Sequence, residues 1–218
     1  MKKINLYLII KKTIFKLYLL ASVKCLIWDV DGTLWKSLFV SRKIQEGYIN
    51  FSIKHSNKSS SHINELFSKS KNWLNTTKKI TGIKNDLLIV KKIESSIKKY
   101  LYIQKDESLV NWIISLRFKK NIILTNSTKE ITIKTLNKIG FKNDRIGKIT
   151  PFDEIITIEN TNSLKPDLKV FNYILIKTGL KPKRHLMIGD SLYHDLIPAK
   201  RLGMKAIHID KFEILFDK

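Results

Sequence analysis

With 218 residues, 43% of them hydrophobic, the chain is long enough for one buried α/β domain with a smaller insertion and too short for two full-sized domains. This composition excludes an intrinsically disordered chain, and a single cysteine, Cys25, excludes a disulfide framework or a cysteine zinc site. The formal net charge of +22 comes mainly from lysines scattered among isoleucines and asparagines, which favours a solvated surface over a nucleic-acid-binding face.

Residues 1–22 form an extension that combines a basic start with apolar stretches, as a signal peptide or membrane anchor would. Lys11, Lys12 and Lys16 interrupt it before it reaches the roughly 18 uninterrupted apolar residues that a membrane span requires. The interpretations left open are an amphipathic helix in contact with a membrane surface, a poorly ordered leader and an organelle presequence. The lone cysteine suits a reducing compartment, so a cytoplasmic location is expected.

Residues 23–30 (VKCLIWDV) are an almost continuous apolar run, typical of a strand that is buried on both faces. Residues 36–104 contain no proline, and their apolar residues recur three and four apart, which predicts an all-helical insertion of three or four helices. The polar stretch 55–61 (HSNKSSS) and the Thr81-Gly82 pair supply breaks between these helices.

In the rest of the chain, predicted helices and strands alternate. The helices are expected at 106–119, 128–139, 167–178 and 196–202, and the strands at 121–125, 154–158, 185–189 and 205–209. Because parallel strands need crossover connections, this alternation predicts a parallel sheet with helices on both faces. The expected fold is therefore α/β, a Rossmann-like sheet built from residues 23–35 and 105–218, with the helical insertion 36–104.

Two carboxylates, Asp29 and Asp31, stand two residues apart at the end of the first predicted strand. In an extended backbone such residues share one direction, so their side chains converge. Close carboxylates repel unless a cation neutralises them, and hard oxygen ligands suit Mg²⁺. An Asp-Gly pair is also common in ordinary turns, so this motif alone is only suggestive.

Two later segments of the chain also carry polar groups that could contact a phosphate, one at the end of a strand and one on a loop. Thr125 and Asn126 end the second strand, and Ser127 with Glu130 fits a capping box for the next helix, which would leave Thr125 free to donate to a phosphate oxygen. Lys165 precedes Pro166, which is expected in the first turn of a helix. A cation on that loop can hold both a carboxylate and phosphoryl charge.

The fourth polar cluster follows the apolar strand that contains LMI. Asp190 stands directly at its end and is a natural metal ligand. Asp195 is expected to cap the helix that contains Pro198, to support the metal site, or both.

Together these motifs resemble those of a known superfamily. DVDGT (29–33), LTN (124–126), Lys165-Pro166-Asp167 and GDSLYHD (189–195) are similar to the four ordered motifs of the haloacid dehalogenase-like hydrolases. The insertion between the first two motifs resembles the helical cap of that superfamily's subfamily I. Any one motif is weak evidence, but four in this order are jointly specific.

The resemblance implies a role for each site residue. Asp29 would be the nucleophile that forms an aspartyl-phosphate, and Asp31 would protonate the leaving oxygen and later activate water. Mg²⁺ would be held by the Asp29 carboxylate, the Asp31 backbone carbonyl and Asp190, with Asp195 in support. The substrate phosphate would contact Thr125, Asn126 and Lys165.

The carboxylate at Asp31 favours a phosphatase over a dehalogenase, which has no alkoxide to protonate. A phosphomutase similar to β-phosphoglucomutase would need the same residues and remains the enzymatic alternative; a non-catalytic module that binds anions or nucleic acid is the other. The expected substrate is a small phosphorylated metabolite, such as a nucleotide, a sugar phosphate or a compound like phosphoglycolate, with no obligatory nucleic acid. Its contacts on the cap could include four side chains: Arg42, Lys43, Tyr48 and His55.

Overall fold

The computed structural model describes residues 6–70, 72–116, 120–144 and 147–216. Within them the chain forms a five-stranded sheet in the order β3-β2-β1-β4-β5, and every neighbouring pair is parallel. The strands are β1 (Cys25–Trp28), β2 (Lys120–Leu124), β3 (Glu154–Ile156), β4 (His185–Gly189) and β5 (Lys205–His208). The predicted α/β fold with a parallel sheet is confirmed.

Helices precede the sheet, separate its strands and close the chain. They are α1 (Leu6–Ser22), α2 (Leu38–Lys54), α3 (Ser60–Ser68), α4 (Trp73–Thr81), α5 (Asp86–Ile97), α6 (Glu107–Ser115), α7 (Lys129–Ile139), α8 (Ile158–Thr161), α9 (Leu168–Thr178), α10 (Ile197–Arg201) and α11 (Ile209–Phe216). Two 3₁₀ segments span Lys99–Tyr102 and Pro182–Arg184, and a π-helical turn spans Leu192–Leu196.

Several element boundaries differ from those predicted; the first predicted strand, 23–30, for example, spans Cys25–Trp28. The strand predicted at 154–158 ends at Ile156, because Thr157 and Asn160 form a capping box that starts α8. The helix predicted at 196–202 is preceded by the π-helical turn, so the helical backbone begins earlier. The helix predicted at 106–119 ends at Ser115, and residues 117–119 lie outside the described residues.

Both faces of the sheet are covered, as the apolar run in β1 predicts. Alternate β1 residues point to opposite faces. Leu26 and Trp28 pack in one cluster with Phe212, whereas Cys25 and Ile27 pack in the other. Trp28 also donates a hydrogen bond from Nε1 to Asn121 Oδ1 of β2 (3.0 Å), which satisfies its buried polar atom. The strand that leads into the first motif is therefore packed on both faces and paired with a strand at both edges.

The insertion contains four α-helices, α2 to α5, which agrees with the predicted three or four. The breaks fall where the sequence indicates, since α2 ends before the polar stretch 55–61 and α4 ends at Thr81 with Gly82 as its cap. The helices bury an apolar cluster of their own around Phe51, Ile89 and Ile93. Ile158, from α8 beside the sheet, belongs to the same cluster, so the helices pack directly over the carboxyl ends of the strands.

In the N-terminal extension, α1 covers residues from Leu6 onward, and residues 1–5 lie outside the described residues. Leu19 is buried in the main core, and Arg184 Nη1 donates to the Ser22 carbonyl (3.0 Å), which ties the end of α1 to the sheet. Among the described helices, none combines the length and the apolar composition that a membrane span requires.

Candidate active site

The predicted site residues meet at the carboxyl ends of the strands, where parallel sheets place their ligands. β1 leads into Asp29, β2 into Thr125 and β4 into Asp190. Gly32 has a positive φ of +88°, and a Cβ there would lie 2.3 Å from Asp190 Oδ2. The first loop thus needs glycine at this position, because the Asp190 carboxylate lies directly against its backbone.

Three carboxylates form the centre of the site. Asp29, Asp190 and Asp195 each offer one oxygen, and these oxygens lie within 4.8 Å of one another. The Asp29 and Asp195 side chains are buried. Thr33 Oγ1 donates to Asp29 Oδ2 (3.0 Å), and the Ser191 backbone N–H donates to Asp195 Oδ2 (3.1 Å), so both carboxylates are held in place.

Lys165 bridges two of these carboxylates. Its Nζ donates to Asp29 Oδ1 (2.5 Å) and to Asp195 Oδ1 (2.6 Å), and the residue is 4% exposed. Asn126 fixes the lysine backbone from both sides, since its Oδ1 accepts from the Lys165 N–H (2.7 Å) and its Nδ2 donates to the Lys165 carbonyl (3.0 Å). The sequence singled out Lys165 from the other lysines because it lies on a loop next to Pro166, and in the structure that loop brings it to the site.

The electrostatics of the trio favour an added cation. The pKa of Asp29 is raised to about 7, because burial and, to a lesser extent, the charges of Asp195 and Asp31 outweigh the lowering effect of Lys165. Burial and the Asp195 charge also raise the pKa of Asp190. Although burial lowers the pKa of Lys165, the charges of Asp195 and Asp29 outweigh it, and the net shift is upward. Because one lysine does not balance three carboxylates, these hard oxygen donors fit a divalent ion such as Mg²⁺.

The Asp31 carboxylate does not belong to this trio. Trp35 Nε1 donates to its Oδ1 (3.1 Å), and Ser127 Oγ donates to its Oδ2 (3.2 Å). Lys99 Nζ also donates to Oδ2. Asp195, and not the Asp31 side chain, is the third carboxylate of the trio; the predicted Asp31 ligand, its backbone carbonyl, stays a prediction.

Lys99 was not predicted. It is 3% exposed and lies in the 3₁₀ segment that leads from the insertion back to the sheet. Besides Asp31, its Nζ donates to Ser127 Oγ (2.5 Å) and lies 3.6 Å from Glu94 Oε1. The charges of Asp31 and Glu94 outweigh burial, which lowers the pKa of Lys99, and the net shift is upward. Nothing in the sequence distinguishes Lys99 from the adjacent Lys98, so only the fold identifies it.

The capping box predicted for Ser127 and Glu130 is wrong. Helix α7 begins at Lys129 with Thr128 as its N-cap residue, and Glu130 pairs with Lys134 on the surface. Glu94 of α5 satisfies the start of this helix instead, because its Oε2 accepts from both the N–H and the hydroxyl of Thr128 (2.9 and 2.7 Å). Ser127 is thereby free to point into the site.

Thr125 is not wholly free of protein partners. Its Oγ1 accepts from the Ser127 N–H (3.2 Å). A hydroxyl can accept and donate at once, so this bond is compatible with donation to a phosphate oxygen.

Two further helix-end predictions are wrong. Asp195 is not an N-cap: Ser191 caps the π-helical turn, and Asp195 lies inside that turn with its carboxylate directed at Lys165 and the Ser191 N–H. Pro166 precedes the first turn of α9, which begins at Leu168 and is capped by Asp167.

The site opens into a cavity of about 600 Å³ between the insertion and the strand ends. Asp31, Lys99, Ser127 and Lys165 contribute to its wall. Of the four cap residues considered as substrate contacts, Tyr48 lines this cavity. The other three have surface or packing roles in the described structure: Arg42 is exposed, Lys43 pairs with Glu46, and His55 stacks on Phe51.

The Lys99 contacts predict a measurable contribution to stability. Replacing Lys99 by methionine should lower the free energy of unfolding by about 1–3 kcal/mol. The buried Ser127 loses a donor and Glu94, whose side chain is 12% exposed, loses a charge partner, while the partly exposed Asp31 is screened by solvent. Urea unfolding of the purified variant measures this. The matched control is Lys69→Met, whose exposed pair with Glu65 should contribute almost nothing. Equal losses in the two variants would contradict the buried network.

Comparison with known proteins places this geometry in a family. The model of the haloacid dehalogenase-like hydrolases matches residues 26–209. A glyceraldehyde 3-phosphate phosphatase of Methanocaldococcus jannaschii is 38% identical over 84 residues, which cover 38% of this chain and 35% of that protein. The chain thus aligns with about a third of the length of the curated relatives it matches.

Solved structures share the fold. CbbY from Rhodobacter sphaeroides, in complex with phosphate, superposes with a TM-score of 0.58 at 14% identity, covering 85% of each chain. A haloacid dehalogenase family enzyme from Bacteroides thetaiotaomicron, in complex with magnesium and inorganic phosphate, superposes with a TM-score of 0.52 at 18% identity, covering 85% of this chain and 93% of that one. The family match spans most of the chain and includes all four motifs. The resemblance noted in the sequence is thereby confirmed, and the chain belongs to the haloacid dehalogenase-like hydrolases.

Proposed function

We propose that the protein is a Mg²⁺-dependent phosphohydrolase that acts on small phosphate monoesters through an aspartyl-phosphate on Asp29. The observation that carries the proposal is the trio Asp29, Asp190 and Asp195, in which Lys165 bridges Asp29 and Asp195 and also contributes to the wall of the cavity. Two findings support it: curated relatives carry phosphatase names, and a structural neighbour was solved with magnesium and phosphate.

The Asp29 and Asp190 carboxylates and the Asp31 backbone carbonyl would hold the ion, with Asp195 next to them. Bound there, Mg²⁺ would neutralise charge on the attacking carboxylate and on the phosphoryl oxygens. Lys165 contributes a second positive charge next to Asp29, and its hydrogen bond keeps that carboxylate oriented.

In the first displacement, one Asp29 oxygen attacks phosphorus, the bond from phosphorus to the alcohol oxygen breaks, and Asp31 in its acid form gives a proton to that oxygen. In the second, Asp31 takes a proton from water, the water oxygen attacks phosphorus, and the bond from phosphorus to Asp29 breaks. Inorganic phosphate leaves and Asp29 is regenerated. Trp35 and Ser127 hold the Asp31 carboxylate for both proton transfers.

Thr125, Lys165 and Asn126 would position the phosphoryl group, Asn126 chiefly by fixing the lysine backbone. Residues 36–104 would form the cap that shields the reaction from bulk water, and 23–35 with 105–218 the catalytic core. Lys99 would couple the cap to the core, because it lies at the end of the cap and donates a hydrogen bond directly to Asp31.

The test is release of inorganic phosphate from a panel of sugar phosphates, nucleotides and short phospho-acids, with Mg²⁺ and with EDTA. We expect turnover with Mg²⁺ and its loss on chelation. We also expect the thermal unfolding midpoint of the wild type to rise with MgCl₂, because an ion bound only by the folded chain stabilises it, and this rise to be much smaller in Asp190→Asn. Activity that survives chelation, or an equal Mg²⁺ response in Asp190→Asn, would refute the metal assignment.

A further inference from the structure

The cavity has a chemical character that the net charge of the protein does not suggest. Its described lining residues include four acids and two lysines: Asp31, Asp86, Glu94, Asp167, Lys99 and Lys165. Both lysines contact carboxylates of the site, Lys165 through Asp29 and Asp195, and Lys99 through Asp31 and Glu94. A chain of formal charge +22 thus presents an acidic cavity to its substrate.

The part of the cavity away from the strand ends is apolar. Tyr48 and Trp73 lie there with their ring centroids 6.2 Å apart, beside aliphatic side chains of α5 such as Val90, Ile93 and Ile97. Asn72 and Asn75 add amide groups at one edge. Aromatic and aliphatic walls with a few polar groups are the usual lining for a flat, uncharged ring.

The volume of the cavity also favours a ligand that carries a ring. Cavities of roughly 300–1,000 Å³ bury most of a drug-sized ligand, whereas a three-carbon alcohol would leave most of about 600 Å³ unfilled. Acids on the cavity wall outside the trio would repel a second anion on the substrate. Glu94 has a side chain 12% exposed and lies 3.6 Å from Lys99 Nζ, and Asp86, 26% exposed, pairs with Lys78 at 2.6 Å.

Resting on the proposed phosphohydrolase function, we infer that the substrate is a monophosphate ester of an uncharged, ring-bearing alcohol. Bisphosphates and phosphorylated carboxylic acids are poor substrates, and so are phosphate esters of very small alcohols. The phosphoryl group lies beside Lys165, where the acidic trio would hold Mg²⁺, and the ring occupies the space between Tyr48, Trp73 and α5.

Three synthetic esters of primary alcohols test this: 2-phenylethyl phosphate, its para-carboxylate analogue and ethyl phosphate. Their leaving groups are chemically similar, so differences in kcat/KM report on the cavity. We expect the phenylethyl ester to exceed ethyl phosphate by at least about 30-fold, because a ring is buried, and to exceed the carboxylate analogue by at least about tenfold, because of repulsion. Asp86→Asn should lower the ratio of kcat/KM for the phenylethyl ester to kcat/KM for the carboxylate analogue. The matched surface variant Glu46→Gln should leave this ratio unchanged.

The outcomes distinguish a wrong substrate class from a wrong phosphohydrolase function. If all three esters are hydrolysed but ethyl phosphate or the carboxylate analogue equals the phenylethyl ester, the substrate class is refuted and the phosphohydrolase function stands. If Mg²⁺ supports no hydrolysis of any phosphate ester, the proposed function falls and the substrate class with it. Trp73→Ala should raise KM for the phenylethyl ester several-fold while leaving ethyl phosphate nearly unchanged, and a parallel loss for both esters counts against the ring contact.

Discussion

Replacing Asp29 by asparagine is expected to lower kcat for phosphate release by about 10⁴-fold or more, because the amide has no nucleophilic oxygen to attack phosphorus. The same change should leave the free energy of unfolding within about 1 kcal/mol of the wild type in metal-free buffer. The amide oxygen can still accept from Lys165, the amide nitrogen can donate to the Thr33 hydroxyl, and the change removes a buried charge from a cluster rich in carboxylates. Phosphate release and urea unfolding, measured on the same preparation, separate lost chemistry from lost folding.

The control for the Asp29 experiment is Asp31→Asn with p-nitrophenyl phosphate, whose leaving group needs no proton. This variant should still transfer phosphate to Asp29, but it should hydrolyse the aspartyl-phosphate slowly, so acid-stable labelled protein accumulates. Labelling that persists in Asp29→Asn, or a kcat for that variant above about a hundredth of the wild-type value, would exclude Asp29 as the nucleophile.

Replacing Lys165 by methionine is expected to lower the free energy of unfolding by about 3–5 kcal/mol in metal-free buffer. The methionine leaves Asp29 and Asp195, whose side chains are 8% and 1% exposed, without their shared cation. We also expect kcat to fall by about 10²–10³-fold, because a preorganised positive charge is lost from the reacting centre. Denaturant titration and steady-state kinetics measure the two effects.

Lys177→Met is the matched control, since Lys177 pairs with Glu154 at 2.7 Å on the surface with both side chains partly exposed. It should change the free energy of unfolding by less than about 1 kcal/mol and leave kcat unaltered. If Lys165→Met is as stable as this control, the buried bridge between Asp29 and Asp195 does not exist in solution.

The fold class and most of the site could be predicted from local patterns. The apolar run in β1 requires burial on both faces, and the alternation of strands and helices requires parallel pairing. In such a sheet the carboxyl ends of the strands share one edge, so Asp29, Thr125 and Asp190 had to lie near one another. These conclusions need only the chain order and the chemistry of each residue type.

Other features depend on contacts between distant segments. Lys99 and Glu94 act on Asp31, Ser127 and Thr128, but they come from the insertion, and no local pattern places its last turn against the second strand end. The predicted capping box failed for this reason: Glu94 satisfied the start of α7, so Ser127 turned towards the site.

The sequence by itself determined the parallel α/β architecture, the helical insertion and the acidic motifs, because periodicity and residue chemistry act over a few neighbours. Only the tertiary structure decided which carboxylates form the trio, which lysine joins Lys165 in the buried network, and what lines the cavity. Side-chain direction at a strand end depends on which charged partner lies within reach, and the packing of the insertion over the sheet sets that distance.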